Sequence, residues 1–341
     1  MISRNRKLWI SLNLFTAGVL LGPHAHAQKR ADWMGKAQWG VMTHFLAEWI
    51  NPAAHASTKE WNAMVDSFDV EGLAEQIKSV GASYYLITIG QNSGFYICPN
   101  ATYDKFVAIE PSKCSRRDLV SDLYGPLSKR GIKLMVYLPA GAPEGDPIAI
   151  KGLGWEKGPH RNREFQLKWE QVIREWSLRW GRKVAGWWFD GCYWPNVMYR
   201  TTEPPNFASF AAAARAGNPD AAIAFNPGVV YRLLSITPYE DYIAGEIDQP
   251  DRASIWGDVS GKIDGTQAHI LSFLGQTWGQ GSPRFPEEQV IKWTREWLAR
   301  GAAVTWDVPI QPNGAISRPF IEQLTAVGKA LAQKSGGSDH E

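Results

Sequence analysis

Two carboxylates in the sequence each close an apolar run of the kind that forms a buried strand. Asp190 ends the run VAGWWFD, and Glu246 ends the run DYIAGE. Cleavage of a glycosidic bond requires two carboxyl groups around one cleft, because one attacks the anomeric carbon or activates water while the other protonates the leaving oxygen. We therefore interpret Asp190 and Glu246 as a candidate catalytic pair, with Glu48 as an alternative acid. The competing interpretations are a helix cap for Asp190 and a surface carboxylate for Glu246.

Other strand-like runs also end in side chains that can hydrogen-bond, ionise or stack. One such end would be ordinary, but a set of them is harder to explain by packing alone. The set comprises His44, Gln91, Asn92, Asn226, Trp278 and Asp307. Aromatic rings close to Asp190, among them Trp188 and Trp194, can exclude water and stack on a sugar ring. Not all of them can reach one cleft, because alternate side chains of a strand point to opposite faces.

The apolar runs alternate with helical patterns, which is typical of a parallel sheet covered by helices. The eight runs cover residues 39–45, 83–90, 132–141, 184–191, 221–228, 241–246, part of 266–279 and 302–309. Helical spacing of apolar residues follows most of them, and the segment 266–279 is predicted to hold a short helix beside its strand.

Eight strand-then-helix units predict a single (β/α)8 TIM-type barrel. The alternative is an open doubly wound sheet, which is weakened because no GxGxxG follows any strand. In such barrels the active site is built at the carboxyl ends of the strands. The polar strand ends should therefore surround one mouth, with Asp307 in a supporting role and His44 either structural or functional.

The first 27 residues are predicted to form a secretory signal peptide. A basic start is followed by an apolar stretch that is short for a membrane span, and a small-x-small cleavage site ends at Ala27. We expect a barrel over residues 28–335, a disordered tail at 336–341, and a periplasmic or secreted protein without a membrane segment after cleavage. The formal net charge of +2 becomes about −1 when the three basic residues of residues 1–27 are removed. No basic stripe stands out, which argues against nucleic acid as a partner.

The three cysteines allow one disulfide and suggest no metal site. Cys98 and Cys114 flank a loop-like segment and could pair in an oxidising compartment, which would leave Cys192 unpaired. The sequence has no CxxC pair and no cysteine-histidine cluster, so we predict neither a metal nor another cofactor. No feature of the sequence predicts an oligomeric state.

The segments that carry these residues resemble the family 29 glycoside hydrolases, the retaining α-L-fucosidases, over roughly residues 33 to 333. WMGKAQWGVMTHF resembles the family's opening segment, which implies a sugar-binding role for His44. WWFDG resembles the segment of the nucleophile, which implies that role for Asp190. GQTWG, with Trp278, and VTWDVPIQPNGAIS resemble the family's Trp-Gly segment and its final strand. DYIAGE lies where several members carry the acid/base, which implies that role for Glu246.

One stretch departs from the family pattern. The family usually has two histidines and an aspartate before Gly-Phe at the end of the second strand, and here the stretch reads IGQNSGFY. Gln91 and Asn92 replace the histidines that contact fucose hydroxyls, and Ser93 replaces the aspartate. Amides bind hydroxyls but do not titrate, so the identity of the sugar stays open. The family's C-terminal β-sandwich is not evident either.

The sequence therefore predicts a secreted glycoside hydrolase with a retaining mechanism. Its carbohydrate substrate would carry a fucose-like or other sugar in a glycan or polysaccharide. The alternatives are a carbohydrate lyase on the same barrel and a sugar-binding protein without catalysis. A metal-dependent hydrolase would need a cluster of histidines and carboxylates that the sequence does not show.

Overall fold

The computed structural model describes residues 30–50, 56–254 and 261–335. The predicted signal peptide and C-terminal tail lie outside these residues. The strands are β1 Trp39–Thr43, β2 Tyr84–Thr88, β3 Lys133–Pro139, β4 Val184–Asp190, β5 Ala222–Phe225, β6 Lys262–Ile263, β7 Thr266–Gln267, β8 His269–Phe273 and β9 Ala303–Asp307. The helices are α1 Asp32–Ala37, α2 Ala47–Ile50, α3 Thr58–Asp66, α4 Val70–Ser79, α5 Ala101–Val107, α6 Leu119–Lys129, α7 Pro147–Leu153, α8 Arg163–Trp180, α9 Pro195–Met198, α10 Phe207–Ala214, α11 Glu287–Ala299 and α12 Arg318–Ser335.

Seven parallel strands form one sheet in the order β5-β4-β3-β2-β1-β9-β8. The first strand of the chain pairs with the last, with Gly40 opposite Thr305, and this pairing curls the sheet. The gap between β5 and β8 is filled by residues 241–247. Asp241 N–H donates to the Ile223 carbonyl over 2.8 Å, and Ile243 N–H donates to the Gln267 carbonyl over 2.9 Å. The fold is therefore a single (β/α)8-type barrel, as predicted.

The predicted sixth strand, 241–246, is present as an extended segment but not as a regular strand. It makes single bridges from Tyr242 to Gln267 and from Glu246 to Leu271. Gly245 lies between them at φ 64°, and a Cβ there would lie 1.9 Å from the carbonyl oxygen of His269. The close approach of two backbones requires a glycine and a left-handed turn, which interrupts the ladder just before Glu246.

The helices predicted to follow most of the apolar runs are confirmed, among them α4, α6, α8, α11 and α12. The short helix predicted within 266–279 is wrong, because that segment begins in a hairpin of β6 and β7. The turn is Asp264-Gly265, with φ values of 52° and 81°. Two consecutive positive φ angles at Asp-Gly are typical of the type I′ turn that joins such strands.

The barrel separates two apolar layers, one inside the sheet and one between the sheet and the helices. Trp187 faces outward and lies 5.7 Å from the ring of Trp180 on α8. Trp188 faces inward and stacks on Tyr137 with ring centroids 5.3 Å apart. Both layers are buried. Because successive side chains of a strand point to opposite faces of the sheet, only one of these two adjacent tryptophans faces the barrel interior.

The disulfide that the sequence allowed is not formed. Cys98, Cys114 and Cys192 are all free and buried. Burial raises the pKa of the Cys98 and Cys114 thiols well above the ordinary value, so they remain neutral core groups. Among the described helices, none has the length and apolar character needed to cross a membrane.

Candidate active site

A pocket with an empty volume of about 460 Å³ opens at the carboxyl ends of the strands. Its walls come from several different strands and the loops that follow them, as barrel geometry requires. The lining residues are Met42, His44, Gln91, Tyr137, Trp188, Asp190, Glu246, Leu271, Thr277 and Trp278. Six of the residues selected from the sequence thus meet in one pocket, including both carboxylates of the candidate pair.

The side chain of Asn226 connects the two carboxylates. Its amide nitrogen donates one hydrogen bond to Oδ1 of Asp190 over 2.8 Å and another to Oε2 of Glu246 over 2.6 Å. Gly228 N–H donates to the amide oxygen of Asn226 over 3.1 Å, which fixes the orientation of the amide. The two carboxylate oxygens can therefore be no farther apart than the sum of the two Asn226 distances.

Asp190 accepts two further hydrogen bonds. Gly191 N–H donates to Oδ1 over 2.8 Å, and the Tyr137 hydroxyl donates to Oδ2 over 2.6 Å. The next helix, α9, has Trp194 as its N-cap residue, and no side-chain cap bond is made there. Asp190 is therefore not a helix cap, and its donors hold the carboxylate at the pocket wall.

Glu246 is in a different environment from Asp190. Burial and the neighbouring charge of Asp190 raise the pKa of Glu246 to about 7, against the opposing effects of the Asn226 hydrogen bond and of His44. A carboxyl group with such a pKa retains its proton close to neutral pH. Two adjacent carboxyl groups in unlike environments are what acid–base chemistry in one site needs.

His44 and Asp307 form a buried pair on the other side of the pocket. His44 Nδ1 lies 2.8 Å from Oδ1 of Asp307. The second oxygen of Asp307 accepts from Gly279 N–H over 2.6 Å. Asp307 therefore orients the imidazole and holds the turn that carries Trp278, whose ring lies 6.0 Å from that of His44. This is the supporting role that the sequence predicted for Asp307.

Tyr137 is a site residue that the sequence analysis missed. Its hydroxyl accepts from Gln91 Nε2 over 2.7 Å and donates to Asp190 over 2.6 Å. Burial and the charge of Asp190 raise the pKa of Tyr137 well above its ordinary value, so the hydroxyl keeps its proton. Only strand ends were considered, whereas Tyr137 lies inside β3, two residues before Pro139. The inward alternation with Met135 was the available signal.

We expect Tyr137→Phe to lower turnover about ten- to a hundredfold, because a hydrogen bond to a charged group contributes about 1.5–3 kcal/mol. Thermal unfolding and steady-state kinetics would measure this effect. Tyr84→Phe is a matched control, since its hydroxyl donates to the Val304 carbonyl away from the pocket. Equal kinetic effects of the two substitutions would contradict a role for Tyr137 in the site.

Five of the selected residues do not line this pocket: Glu48, Asn92, Trp194, Asn226 and Asp307. Glu48 does not line it, and its Oε1 lies 3.4 Å from Ser93 N–H in the loop after β2. Asn92 and Trp194 line a second cavity of about 750 Å³. Gln91 and Asp190 line both cavities. The structure thus places Glu246, and not Glu48, beside Asp190, while Asn92 and Trp194 border an adjoining space.

A buried carboxyl group holds the loop that follows Asn226. Oε1 of Glu240 accepts from Ile236 N–H over 2.7 Å, and Oε2 lies 3.5 Å from Phe225 N–H. Burial raises the pKa of Glu240 from 4.5 to about 8. The contribution of Glu240 to the free energy of unfolding is therefore fully present below pH 4.5 and is lost as the pH rises through about 8.

Glu240→Gln should remove this pH dependence, because the introduced amide does not titrate. We expect the melting temperature of the unsubstituted protein to decline between pH 5 and 8 relative to the variant. Calorimetry over that range tests the prediction. Parallel curves for the two proteins would show that Glu240 is already ionised in the folded state.

Within the described ranges, no group of three or more histidines, cysteines, aspartates and glutamates could hold a metal ion. The described residues of the site offer the chemistry of two carboxyl groups, supported by an amide, a phenol and a histidine–aspartate pair. Aromatic rings from Trp188 and Trp278 form two of its walls.

The family model for alpha-L-fucosidase matches residues 26–335. Among curated proteins, no sequence matches this chain. The family match covers all described strands and helices, including every residue of the pocket.

Solved structures share the fold at low sequence identity. The endo-fucoidan hydrolase MfFcnA4 from glycoside hydrolase family 107 has a TM-score of 0.68 at 18% identity, over 91% of this chain and 55% of that chain. This chain thus spans about half the length of that enzyme. Alpha-L-fucosidase isoenzyme 1 from Paenibacillus thiaminolyticus has a TM-score of 0.64 at 16% identity, over 91% of this chain and 77% of that chain. An alpha-L-fucosidase from Bacteroides thetaiotaomicron was solved as a trapped covalent intermediate. It has a TM-score of 0.59 at 17% identity, over 92% of this chain and 76% of that chain.

Proposed function

We propose that this chain, which belongs to the alpha-L-fucosidase family, is a glycoside hydrolase that cleaves a fucose-like sugar from, or within, a glycan or polysaccharide by a retaining mechanism. Asp190 is the nucleophile and Glu246 is the acid/base. His44, Gln91 and the rings of Trp188 and Trp278 bind the sugar. No metal or other cofactor takes part in the proposed reaction.

The bridge through Asn226 is the observation that carries this proposal. One nitrogen lies 2.8 Å from Asp190 and 2.6 Å from Glu246, so the nearest oxygens are separated by no more than the sum of those distances. Retaining glycosidases hold their carboxyl groups about 5–5.5 Å apart, whereas inverting enzymes need about 6.5–9.5 Å to admit a water molecule. The short separation supports the retaining mechanism.

The unequal environments support the assignment of the two roles. A nucleophile must be ionised at the working pH, and the acid must hold a proton. Asp190 accepts three hydrogen bonds, from Gly191, Asn226 and Tyr137. Glu246 has a pKa raised to about 7. The geometry therefore suits attack by Asp190 and protonation of the leaving oxygen by Glu246.

The proposed reaction has two steps. In the first, an Asp190 oxygen bonds to the anomeric carbon, the glycosidic bond breaks, and the Glu246 proton moves to the leaving oxygen. In the second, Glu246 takes a proton from water, the water oxygen bonds to the anomeric carbon, and the bond to Asp190 breaks. The related Bacteroides thetaiotaomicron enzyme, trapped covalently with 2-fluoro-fucosyl fluoride, supports such an intermediate.

Sugar preference is the part of the proposal that departs from the family. Gln91 stands where the family has a histidine, and its amide nitrogen donates to Tyr137 over 2.7 Å. Its amide oxygen receives no hydrogen bond from a described residue, so it suits a sugar hydroxyl donor. Each site group left without its partner costs about 1–3 kcal/mol. We therefore expect weak or no turnover of simple aryl α-L-fucosides.

A direct test combines product stereochemistry with covalent trapping. Proton NMR of the first product formed from an activated aryl glycoside should show the anomeric configuration of the substrate. Incubation with 2-fluoro-glycosyl fluorides should add one sugar to the peptide that contains Asp190, detected by mass spectrometry. An inverted first product would overturn the retaining mechanism. A panel of aryl glycosides tests specificity, and high turnover of aryl α-L-fucoside would contradict the expected preference.

We also propose that the mature protein is exported to the periplasm or the medium. The basic start, apolar stretch and small-x-small site of residues 1–27 support cleavage after Ala27. N-terminal sequencing of the exported protein should begin at Gln28. Recovery of protein that still begins at Met1 would contradict this proposal.

A further inference from the structure

The second cavity lies directly beside the catalytic pocket. It has a volume of about 750 Å³ and shares the side chains of Gln91 and Asp190 with that pocket. Its lining is completed by Asn92, Pro139, Gly141, Ala142, Glu144, Trp155, Lys157, Gly191, Tyr193 and Trp194. Glu246, His44 and Trp278 do not line it. The two spaces therefore meet at Asp190 and at Gln91, and Glu246 borders only the catalytic pocket.

This placement decides which part of a substrate the second cavity can hold. The leaving group must lie at the acid, because Glu246 protonates the leaving oxygen. Gln91, which is proposed to bind hydroxyls of the cleaved sugar, lines both the catalytic pocket and the second cavity. A sugar unit joined to one of those hydroxyls would extend into this cavity, on the side opposite the leaving group.

We propose that the second cavity is a sugar-binding subsite for the unit that precedes the cleaved one, so that the enzyme cuts within a chain. This inference rests on the proposed function and on Glu246 being the acid. An enzyme that removes only terminal sugars has no use for a subsite on that side, since nothing is attached there. The subsite also predicts weak turnover of simple aryl glycosides, because such substrates leave it empty.

The lining has the chemistry of a sugar subsite. Three aromatic side chains contribute to it: Trp155, Tyr193 and Trp194. Tyr193 is 53% exposed, and its ring packs edge-on to that of Trp194 with centroids 6.1 Å apart. Gly228 leaves space for this ring, since a Cβ there would lie 3.1 Å from it. An exposed ring held at the edge of a cavity offers a stacking face to a sugar.

The charges in the cavity favour an uncharged sugar. Lys157 is the one cation of the lining, and its Nζ lies 2.5 Å from Oε2 of Glu144. The remaining ionisable carboxylate is Asp190. A sulfated or carboxylated unit would compete with Glu144 for Lys157 and would be repelled by Asp190. We therefore assign a neutral hexose or deoxyhexose to the subsite.

The test uses a neutral α-L-fuco-tetrasaccharide with a fluorophore at its reducing end and methyl ethers on its non-reducing terminal sugar. Cleavage at an internal bond, seen as a shorter labelled product, is expected. Failure to cleave this chain, while 2-fluoro-fucosyl fluoride still labels Asp190, would overturn the subsite but not the proposed function. Failure of both reactions would overturn the proposed function itself. Release of single sugars only, from an uncapped chain, would also overturn the subsite.

Variants separate stacking in the subsite from a general loss of activity. Tyr193→Ala should lower kcat/KM for the capped chain about tenfold, with a clearly smaller effect on an activated aryl monoglycoside. Tyr124→Ala is the matched control, since Tyr124 is 37% exposed on α6, which lies outside the barrel. Melting temperatures verify folding. Equal effects of Tyr193→Ala on both substrates, or no effect on the chain, would contradict the assignment.

Discussion

Asp190→Asn is expected to reduce turnover by about three orders of magnitude or more, while folding and sugar binding are retained. The substitution keeps the shape of the side chain but removes the charge that attacks the anomeric carbon. The introduced amide oxygen can still accept from Gly191 and Asn226, which both donate to Oδ1 of Asp190. Its NH₂ group would face the Tyr137 hydroxyl, which has a second lone pair available as an acceptor.

Three measurements check this result. Steady-state kinetics on an activated glycoside gives the loss of turnover, calorimetry compares stability, and isothermal titration measures sugar binding. Asp220→Asn is a matched control, because Asp220 pairs with Arg182 in the turns that precede β4 and β5, at the opposite end of the barrel. Turnover retained within tenfold in Asp190→Asn would exclude Asp190 as the nucleophile. Loss of folding in that variant alone would show a structural role instead.

The position of the site was predictable because parallel strands leave little freedom. Once the runs ending at His44, Gln91 and Asp190 are strands of one barrel, their carboxyl ends meet at one mouth. Asp190 and Glu246 were selected on that reasoning alone, and the structure places them around one pocket. The apolar character of the runs also predicted a parallel sheet that is covered by helices and buried on both faces.

Other features depend on contacts that a strand pattern does not contain. The hydrogen bonds of Asn226 depend on the distances between the three segments that carry Asn226, Asp190 and Glu246. Tyr137 lies within an apolar run, where its hydroxyl group gives no sign of a role in the site. The irregular path of residues 241–247 follows from the close approach of Gly245 to β8. The hairpin at Asp264-Gly265 did have a local signal, because consecutive Asp-Gly is typical of type I′ turns. The sequence analysis overlooked this turn and predicted a short helix within residues 266–279.

Glu246→Ala should affect substrates according to their leaving groups. A sugar leaving group needs the proton of Glu246, so its release should slow by about a hundred- to ten-thousandfold. An aryl group with a low pKa leaves without a proton, so formation of the covalent intermediate should be nearly unchanged. The second step would then limit the rate, because no base remains to take the proton of water. Kinetics on a series of aryl glycosides gives this dependence as a slope against leaving-group pKa.

Azide should restore part of the rate in this variant and leave a characteristic product. The anion fits the space vacated by the carboxyl group and needs no base to attack. Its nitrogen bonds to the anomeric carbon as the bond to Asp190 breaks, which yields a glycosyl azide with the configuration of the substrate. Glu48→Ala is the matched control, because Glu48 does not line the pocket. Azide rescue in Glu48→Ala, and not in Glu246→Ala, would show that Glu48 is the acid.

The pH profile gives an independent measure of the same group. The pKa of Glu246 is raised to about 7 by burial and by Asp190, and the protonated form is the one that acts on the leaving oxygen. Activity on a substrate with a sugar leaving group should therefore fall as the pH rises through about 7. In Glu246→Ala this decrease of activity at high pH should disappear, because the group that titrates has been removed. A basic limb that persists unchanged in the variant would assign the titration, and with it the acid, to another residue.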